Sequence, residues 1–152
     1  MGSGTAGDKV KVVCLTCGST NAFPLAAEGK KVVCGRCQSP LPRPGEVLEP
    51  DEAGLQAILA NKSLPVVVDF YSTTCAPCHL MHPLVERLAH RRQGELLVIK
   101  ANVEVHPGLA SQLQIRAVPT FVVFSKGYEM GRTSGAMSEA DFSLWVATTS
   151  RS

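Results

Sequence analysis

The six cysteines fall into two groups whose spacing predicts two different chemistries. Four of them form two C-x2-C pairs with sixteen residues between the pairs, Cys14 with Cys17 and Cys34 with Cys37. The third pair, Cys75 and Cys78, directly follows the apolar run 66–71. Four thiolates at the first spacing are typical of a tetrahedral metal site, whereas a single C-x2-C after a strand is typical of thiol–disulfide exchange.

The four-cysteine set predicts a structural zinc site. Gly18 and Gly35 lie beside the two pairs, where we expect them to let the backbone turn so that N–H groups reach the sulfurs. A closed site of four sulfurs has no open coordination position. A module of about thirty residues buries too little apolar surface to fold alone, so metal binding would supply its folding energy. Two disulfides or an iron site are the alternatives, and the module could serve as a structural or docking appendage or as a redox sensor.

The charge distribution fits an anionic metal cluster better than a phosphate-binding surface. The net charge of the 152-residue chain is only +2, which argues against a general nucleic-acid-binding protein. Up to Gly45 the chain has six Lys and Arg against two Asp and Glu. Zinc with four thiolates carries a net charge of −2, so this basic excess compensates the cluster.

The chain contains neither an apolar run of membrane-spanning length nor the apolar segment of a signal peptide. Residues 1–8 are small and polar, and we expect them to be disordered or a cloning remnant. These features predict a location in the reducing cytoplasm. In that compartment C-x2-C pairs bind metals or catalyse reactions more often than they form structural disulfides.

The composition divides the chain into three parts after residue 8. Residues 9–39 hold the four-cysteine set, 40–46 form a proline-rich linker, and 47–150 form an α/β domain. A helix capped by Asp51 opens this domain, and a βαβαββα order follows, which predicts a mixed sheet flanked by helices. The expected elements are strand 65–71, a helix from residue 75, strand 95–101, helix 107–113, the hairpin 120–125 and 128–133, and helix 138–147.

The position of the third cysteine pair suits it to dithiol chemistry. A two-residue gap places both sulfurs within disulfide reach. The positive end of the helix dipole stabilises a thiolate on Cys75, and Pro77 lies in the first turn, where its missing N–H costs nothing. We expect Thr73 or Thr74 to cap this helix.

Several further residues complete a resemblance to the thioredoxin family across residues 47–147. The matching positions are Asp69 six residues before the first cysteine, Pro83 within the helix, Lys100 beside the acid, Val118-Pro119-Thr120 and Gly135. With the preceding ribbon, the chain is most similar to thioredoxin-2-type members. The resemblance implies a thioredoxin fold and a disulfide reductase that receives its electrons from a thioredoxin reductase.

The resemblance also implies a role for each matched residue. Cys75 would be the exposed nucleophile, and the more buried Cys78 would resolve the mixed disulfide. Asp69 would accept the Cys78 proton through water, with its pKa raised by burial and moderated by Lys100. The substrate-binding residues would be Ala76, Pro77, Val118, cis-Pro119 and Gly135.

Four departures from the family pattern keep alternatives open. Ala76 stands where glycine is common. Tyr71 and Thr74 stand where tryptophan is common, and His79 stands where Lys or Arg is common and could support the Cys75 thiolate. One alternative is therefore a docking protein with this fold. Another is a metal site on one helix face, formed by Cys75, Cys78, His79 and His82. We expect the chain to bind no nucleotide cofactor directly, and we expect a monomer.

Overall fold

The structure, a computed structural model, describes residues 9–24, 32–43 and 45–150. The sequence also predicts short strands at 10–13 and 30–33, each leading into a cysteine pair. Residues 1–8 and the first two residues of the second of these strands lie outside the described ranges. No helix in the described ranges is both long and apolar enough to cross a bilayer.

Six strands and four helices follow one another along the described chain. In order they are β1 (Lys9–Val13), β2 (Thr20–Pro24), α1 (Glu52–Leu59), β3 (Val66–Tyr71), α2 (Ala76–Arg91), β4 (Leu97–Asn102), α3 (Pro107–Gln112), β5 (Thr120–Ser125), β6 (Tyr128–Ser134) and α4 (Glu139–Thr149). Every element predicted after residue 50 is present, with bounds that differ by at most two residues. Strand β2 was not predicted.

The N-terminal module is an antiparallel hairpin of β1 and β2, in register from Lys9 with Pro24 to Val13 with Thr20. Val12 and Phe23 form a small apolar cluster of its own. Val32 and Leu41 pack against this cluster, and Leu41 N donates to Val32 O at 2.9 Å. The apolar content of the module is small, as expected of a fold that depends on its cysteines.

A mixed four-stranded sheet forms the second part of the chain, in the order β4-β3-β5-β6. Strand β3 runs parallel to β4 and antiparallel to β5, and β5 pairs antiparallel with β6. The predicted mixed sheet with flanking helices, a thioredoxin fold, is therefore confirmed. Beyond β4, Leu48 adds a single parallel bridge to Ile99.

Alternation along β3 places its residues on opposite faces of the sheet. Val66, Val68 and Phe70 belong to the core cluster that contains Leu55 and Ile58 of α1. Val67 belongs to the cluster on the other face, with residues of α2 and α4. Asp69 shares this second face by the same alternation and pairs in register with Lys100 of β4. The sheet thus positions an acid and a lysine beneath α2.

The hairpin module packs directly on α1. Val13 is fully buried in the same cluster as Leu55 and Ile58. A Cβ added at Gly18 would lie 3.3 Å from the carbonyl oxygen of Ala57, so the backbone of the module approaches α1 closely. Thr20 Oγ1 also donates to Ser63 Oγ at 2.8 Å. The hairpin module and the sheet domain therefore share part of their apolar core.

Candidate active site and candidate metal centre

Cys75 is itself the N-cap of α2, and its Sγ accepts a hydrogen bond from Cys78 N at 3.1 Å. The two cysteines form a disulfide with their Cα atoms 5.3 Å apart. The predicted cap at Thr73 or Thr74 is wrong, because the sulfur takes the position of the capping oxygen. Thr73 instead donates from its backbone and hydroxyl to Glu104. The helix terminus thus directs a backbone N–H at the sulfur predicted to be the nucleophile.

The exposure of the two cysteines differs less than expected. Cys75 is 9% exposed and Cys78 is 6% exposed, so the nucleophile lies only slightly nearer the solvent. The neighbouring residues Ala76 and Pro77 are exposed. A partner would therefore approach Cys75 over the first turn of α2.

The loop opposite the disulfide contains the expected cis peptide bond between Val118 and Pro119. The carbonyl oxygen of Val118 lies 3.5 Å from Cys75 Sγ. Gly135, in the left-handed region at φ +91°, donates its N–H to the carbonyl oxygen of Pro119 at 2.9 Å. The structure thus brings Val118, Pro119 and Gly135 together beside the dithiol.

Burial dominates the electrostatics of Asp69. Among the described residues it is the one buried Asp, Glu, Lys or Arg side chain, at 2% exposure. Desolvation raises the pKa of Asp69 to about 7, while the positive charge of Lys100 acts in the opposite direction and the negative charge of Glu49 adds to the rise. Both effects expected from the sequence are confirmed. A carboxyl group with this pKa can exchange protons near neutral pH.

Lys100 interacts with groups other than Asp69. Its Nζ lies 3.2 Å from His82 Nδ1 and 4.3 Å from the centroid of the Tyr71 ring. The Tyr71 hydroxyl donates to Glu49, and burial together with this carboxylate raises the pKa of Tyr71 well above its usual range. Sequence reasoning missed Glu49, because only the bridge between Leu48 and β4 brings it here. The sequence placed His82 on the same face of α2 as the cysteines, but it did not indicate the contact between His82 and Lys100.

The helix-face metal site finds no support in the structure. His79 Nε2 lies 3.1 Å from the carbonyl oxygen of Thr73, and His82 faces Lys100. Cys75 and Cys78 are bonded to each other. Within the described ranges, the one group of metal-ligand side chains whose atoms lie close together is the four-cysteine set.

The four remaining cysteines converge on one point. Their sulfurs all lie within 4.8 Å of one another, with Cys14 Sγ 3.6 Å from Cys37 Sγ and Cys17 Sγ 3.7 Å from Cys34 Sγ. A tetrahedron with metal–sulfur bonds of about 2.3 Å has sulfurs about 3.8 Å apart. The S–S bond of a disulfide is about 2.05 Å long, much shorter than these sulfur–sulfur distances, and all four cysteines are free thiols. The residues present therefore fit a tetrahedral metal ion.

Two similar turns present these sulfurs. In the first, Cys14 N donates to Ser19 O and Gly18 N to Cys14 O. In the second, Cys34 N donates to Ser39 O and Gln38 N to Cys34 O. Thr16 N and Arg36 N lie 3.4 and 3.3 Å from the first sulfur of each turn, as expected for knuckles that stabilise thiolates.

The prediction about glycines is correct for one knuckle and wrong for the other. Gly18 occupies the left-handed position at φ +77° in the first turn. In the second turn this position falls to Gln38, at φ +68°, and not to Gly35. Gly35 N instead donates to Asn21 Oδ1 at 2.9 Å. In both turns the left-handed residue is the one that follows the second cysteine of the pair. That residue is Gly18 in the first turn and Gln38 in the second.

Polar neighbours favour the thiolate form at Cys34. The hydroxyl of Ser19 lies 3.2 Å from Cys34 Sγ, and this contact, with backbone N–H groups, lowers the pKa of Cys34 to about 5. Similar contacts from Ser39 lower the pKa of Cys37, whereas burial raises the pKa of Cys14. A cation bound between the sulfurs would stabilise all four thiolates.

Comparison with known proteins identifies the family. The thioredoxin family profile matches residues 46–148, more than half of the chain. The chain therefore belongs to the thioredoxin family and is a disulfide oxidoreductase. The cysteine cluster before it fits the zinc ribbon of the thioredoxin-2 type.

Individual relatives support this assignment. Thioredoxin C-3 of Corynebacterium nephridii is 30% identical over 135 residues, which cover 89% of this chain and 92% of that protein. This length exceeds the region 46–148, so the similarity extends into the N-terminal module. A bifunctional thioredoxin reductase/thioredoxin of Mycobacterium leprae is 32% identical over 63% of this chain and 21% of its own length. The solved N21Q mutant thioredoxin of Halobacterium salinarum is 28% identical with a TM-score of 0.64, over 72% of this chain and 95% of that one.

The buried acid predicts a specific pH dependence of stability. Below about pH 4 Asp69 is neutral in both the folded and the unfolded chain and imposes no cost. Between about pH 4 and its folded pKa of about 7, only the unfolded chain ionises, so the folded state loses stability as pH rises. Above pH 7 the cost is constant, at most roughly 4 kcal/mol. We expect Asp69→Asn to remove this ionisation cost, because the amide carries no charge.

Denaturant unfolding of the oxidised, metal-loaded protein from pH 4 to pH 9 measures this effect. The unfolding free energy of Asp69→Asn should exceed that of the wild type by a margin that grows up to about pH 7 and then stays level. The exposed carboxyl of Asp141 on α4 provides the control variant Asp141→Asn. A margin independent of pH would show that Asp69 is ionised in the folded protein throughout this range.

Proposed function

We propose that this chain reduces disulfide bonds in other proteins, with Cys75 as nucleophile and Cys78 as resolving thiol. The observation that carries the proposal is the disulfide at the start of α2, where Cys78 N donates to Cys75 Sγ. The same N–H, together with the helix dipole, would stabilise a thiolate on Cys75 in the reduced protein. Cys75 is also the nearer of the two to the solvent.

The proposed reaction has two displacements. The Cys75 thiolate attacks one sulfur of a substrate disulfide, which forms a mixed disulfide and releases the first substrate sulfur as a thiolate that takes a proton from water. The Cys78 thiol then gives its proton to the Asp69 carboxylate. The resulting Cys78 thiolate attacks Cys75 Sγ and releases the second substrate thiolate. Two electrons have passed to the substrate, and the Cys75–Cys78 disulfide remains.

The proton acceptor follows from burial. Asp69 has a pKa of about 7, so its ionised form is a stronger base than an exposed carboxylate and matches a proton transfer near neutral pH. Lys100 lowers that pKa, which keeps part of the population ionised. We therefore propose Lys100 as an electrostatic partner of the acid.

The substrate would lie across the loop opposite the dithiol. The backbone carbonyl of Val118 lies beside Cys75 Sγ, and the Gly135 N–H donates a hydrogen bond to the Pro119 carbonyl oxygen. Ala76 and Pro77 are exposed on the other side of the sulfur. An extended substrate segment that pairs with the Val118 backbone would present its disulfide to Cys75.

The four-cysteine set would hold zinc in a structural site. Cys14, Cys17, Cys34 and Cys37 supply the ligands, and a closed set of four sulfurs leaves no position for a substrate. When bound, the ion would cross-link the two knuckles and supply folding energy to the module. Support comes from the sulfur spacing and from the module's contacts with α1.

The wider assignments remain proposals. We propose a zinc ribbon at 9–39, a linker at 40–46 and the thioredoxin domain at 47–150, and the matched region 46–148 supports the last of these. A thioredoxin reductase would return the electrons, and the relative that carries both activities in one chain is consistent with this partner. A cytoplasmic location and a monomeric state stay predictions from the sequence.

Replacing the resolving cysteine tests the reductase mechanism. In Cys78→Ser the mixed disulfide on Cys75 has no intramolecular thiol to resolve it, so substrates should accumulate as covalent complexes. We expect several such complexes on non-reducing gels from a cell extract, identifiable by mass spectrometry and released by dithiothreitol. The double variant Cys75→Ser with Cys78→Ser is the matched control and should trap none.

The same experiment separates the docking alternative. A thioredoxin-fold adaptor would retain its partner in the double variant, without a covalent bond. If the complexes of Cys78→Ser resist dithiothreitol or persist in the double variant, the exchange mechanism is wrong and the docking function takes its place.

Metal analysis tests the ribbon. We expect one zinc per chain after purification with reductant. Cys37→Ser should lose the metal, because one of its four ligands is gone. The melting temperature should fall as well, since the module then lacks its cross-link and its residue Val13 forms part of the core shared with α1. Cys78→Ser, which lies outside the cluster, should keep the full zinc content. A zinc-free wild-type protein, or zinc lost equally from both variants, would contradict the proposed site.

A further inference from the structure

A cavity of about 250 Å³ opens beside the resolving cysteine, between α2 and the ends of β3 and β4. The residues that line it include Tyr71, Thr73, Cys78, His79, His82 and Lys100. Cys78 itself is nearly buried. The polar side chains at this cavity therefore surround the thiol whose proton must leave during the second displacement.

Two of these side chains form a hydrogen bond with a defined direction. Lys100 Nζ lies 3.2 Å from His82 Nδ1. An ammonium group has donors only, so Nδ1 must accept and His82 must be neutral with its proton on Nε2. This Nε2 points towards Glu86, 3.4 Å from Oε2. The helix thus supplies both the acceptor for the lysine and the partner that orients the imidazole.

Lys100 acts on Asp69 through space. Asp69 Oδ1 is buried and has no hydrogen-bond partner in the part of the chain that the structure describes. The hydrogen bond of Lys100 goes to His82, and its charge lies 4.3 Å from the Tyr71 ring centroid. A lysine on a flexible four-carbon stem has no fixed charge position of its own. Its effect on Asp69 therefore depends on what holds the ammonium in place.

We propose that His82 is a positioning residue for the buried acid: its neutral imidazole fixes the Lys100 ammonium over Tyr71 and so sets the charge that Asp69 experiences. The bond runs from an exposed position on α2 to β4, so it ties the lysine to the helix that carries the dithiol. The consequence for catalysis rests on the proton-acceptor role proposed above for Asp69.

The hydrogen bond exists only while His82 is neutral. On protonation both ring nitrogens become donors, and two cations then face each other across the cavity. Glu86 and His79 are the titratable neighbours on the same helix, and Tyr71 and Lys100 face it from the strands, with Glu49 behind Tyr71. Asp69 lies beside Lys100 in the sheet register. Acid therefore releases the lysine from its position.

Titration of Asp69 in His82 variants tests the proposal. Carboxyl carbon NMR on the oxidised full chain gives the Asp69 midpoint directly. In His82→Ala the Lys100 ammonium loses its acceptor and extends into water, away from Asp69. Because less positive charge then acts on the carboxyl, the Asp69 midpoint should rise by about half a pH unit, as expected for the loss of a partly exposed charge. His82→Asn places an amide oxygen where Nδ1 lay and should restore the wild-type midpoint. His90→Ala removes an exposed imidazole further along α2 and should leave the midpoint unchanged.

A second background shows whether the effect passes through the lysine. With Lys100→Met in place, His82→Ala should no longer change the Asp69 midpoint. An unchanged midpoint in His82→Ala alone would overturn the proposal. A shift of equal size with and without Lys100 would overturn it as well, since His82 would then act on Asp69 by itself.

The catalytic consequence has its own readout. Resolution of a preformed mixed disulfide should show a pH profile whose midpoint moves with that of Asp69 in His82→Ala and returns in His82→Asn. If the Asp69 midpoint moves and the rate profile does not, the positioning role of His82 is supported and the proton-acceptor role proposed for Asp69 is wrong.

Discussion

A carboxyl group buried in the central sheet, on the face that α2 covers, is the constraint on which the proposed active site depends. Asp69 lies in the central strand, 2% exposed, with a pKa of about 7. Such a group costs stability whenever it ionises, because its charge leaves water. Among the described residues Asp69 is the one buried carboxyl, on the face of the sheet that α2 covers. In the proposed mechanism it supplies a base of suitable strength for the Cys78 proton, which an exposed carboxylate would not be.

The start of α2 complements the acid by acting on the other cysteine. The Cys78 N–H donates to Cys75 Sγ, so the helix terminus favours negative charge on the outer sulfur. In the proposed mechanism, dipole stabilisation at the helix end and the buried acid would assign different tasks to two identical side chains. Their exposures, 9% and 6%, are too similar to do so alone. The proposal therefore distinguishes the nucleophile from the resolving thiol by electrostatics more than by accessibility.

The cysteine pair at the start of α2 could be predicted from local spacing, because C-x2-C after a strand is typical of a redox dithiol. Asp69, Lys100 and Pro119 were found through the resemblance to the thioredoxin family. The order of helices and strands along the chain after residue 50 followed from hydrophobic periodicity. The convergence of the other four cysteines could also be predicted, since two C-x2-C pairs at this spacing are typical of a metal site.

The interactions missed from the sequence are those made between distant segments or by unusual backbone. The contact of Glu49 with Tyr71 needs the bridge from Leu48 to Ile99, and the His82–Lys100 bond needs the packing of α2 on β4. Gln38 adopts a left-handed conformation that its side chain does not predict. Cys75 replaced the threonines as the helix cap because sulfur accepts the N–H, which capping preferences do not anticipate.

The measurement that tests the account most directly is an equilibrium redox titration of the zinc-loaded protein, read by thiol trapping and mass spectrometry. We expect a two-electron transition confined to Cys75 and Cys78, with a midpoint near the value of about −270 mV for thioredoxin. The four ribbon cysteines should remain thiolates across the same range, with zinc bound. A pair that resists oxidation, or a transition in which all six cysteines change together, would contradict the separation of a redox dithiol from a structural metal site.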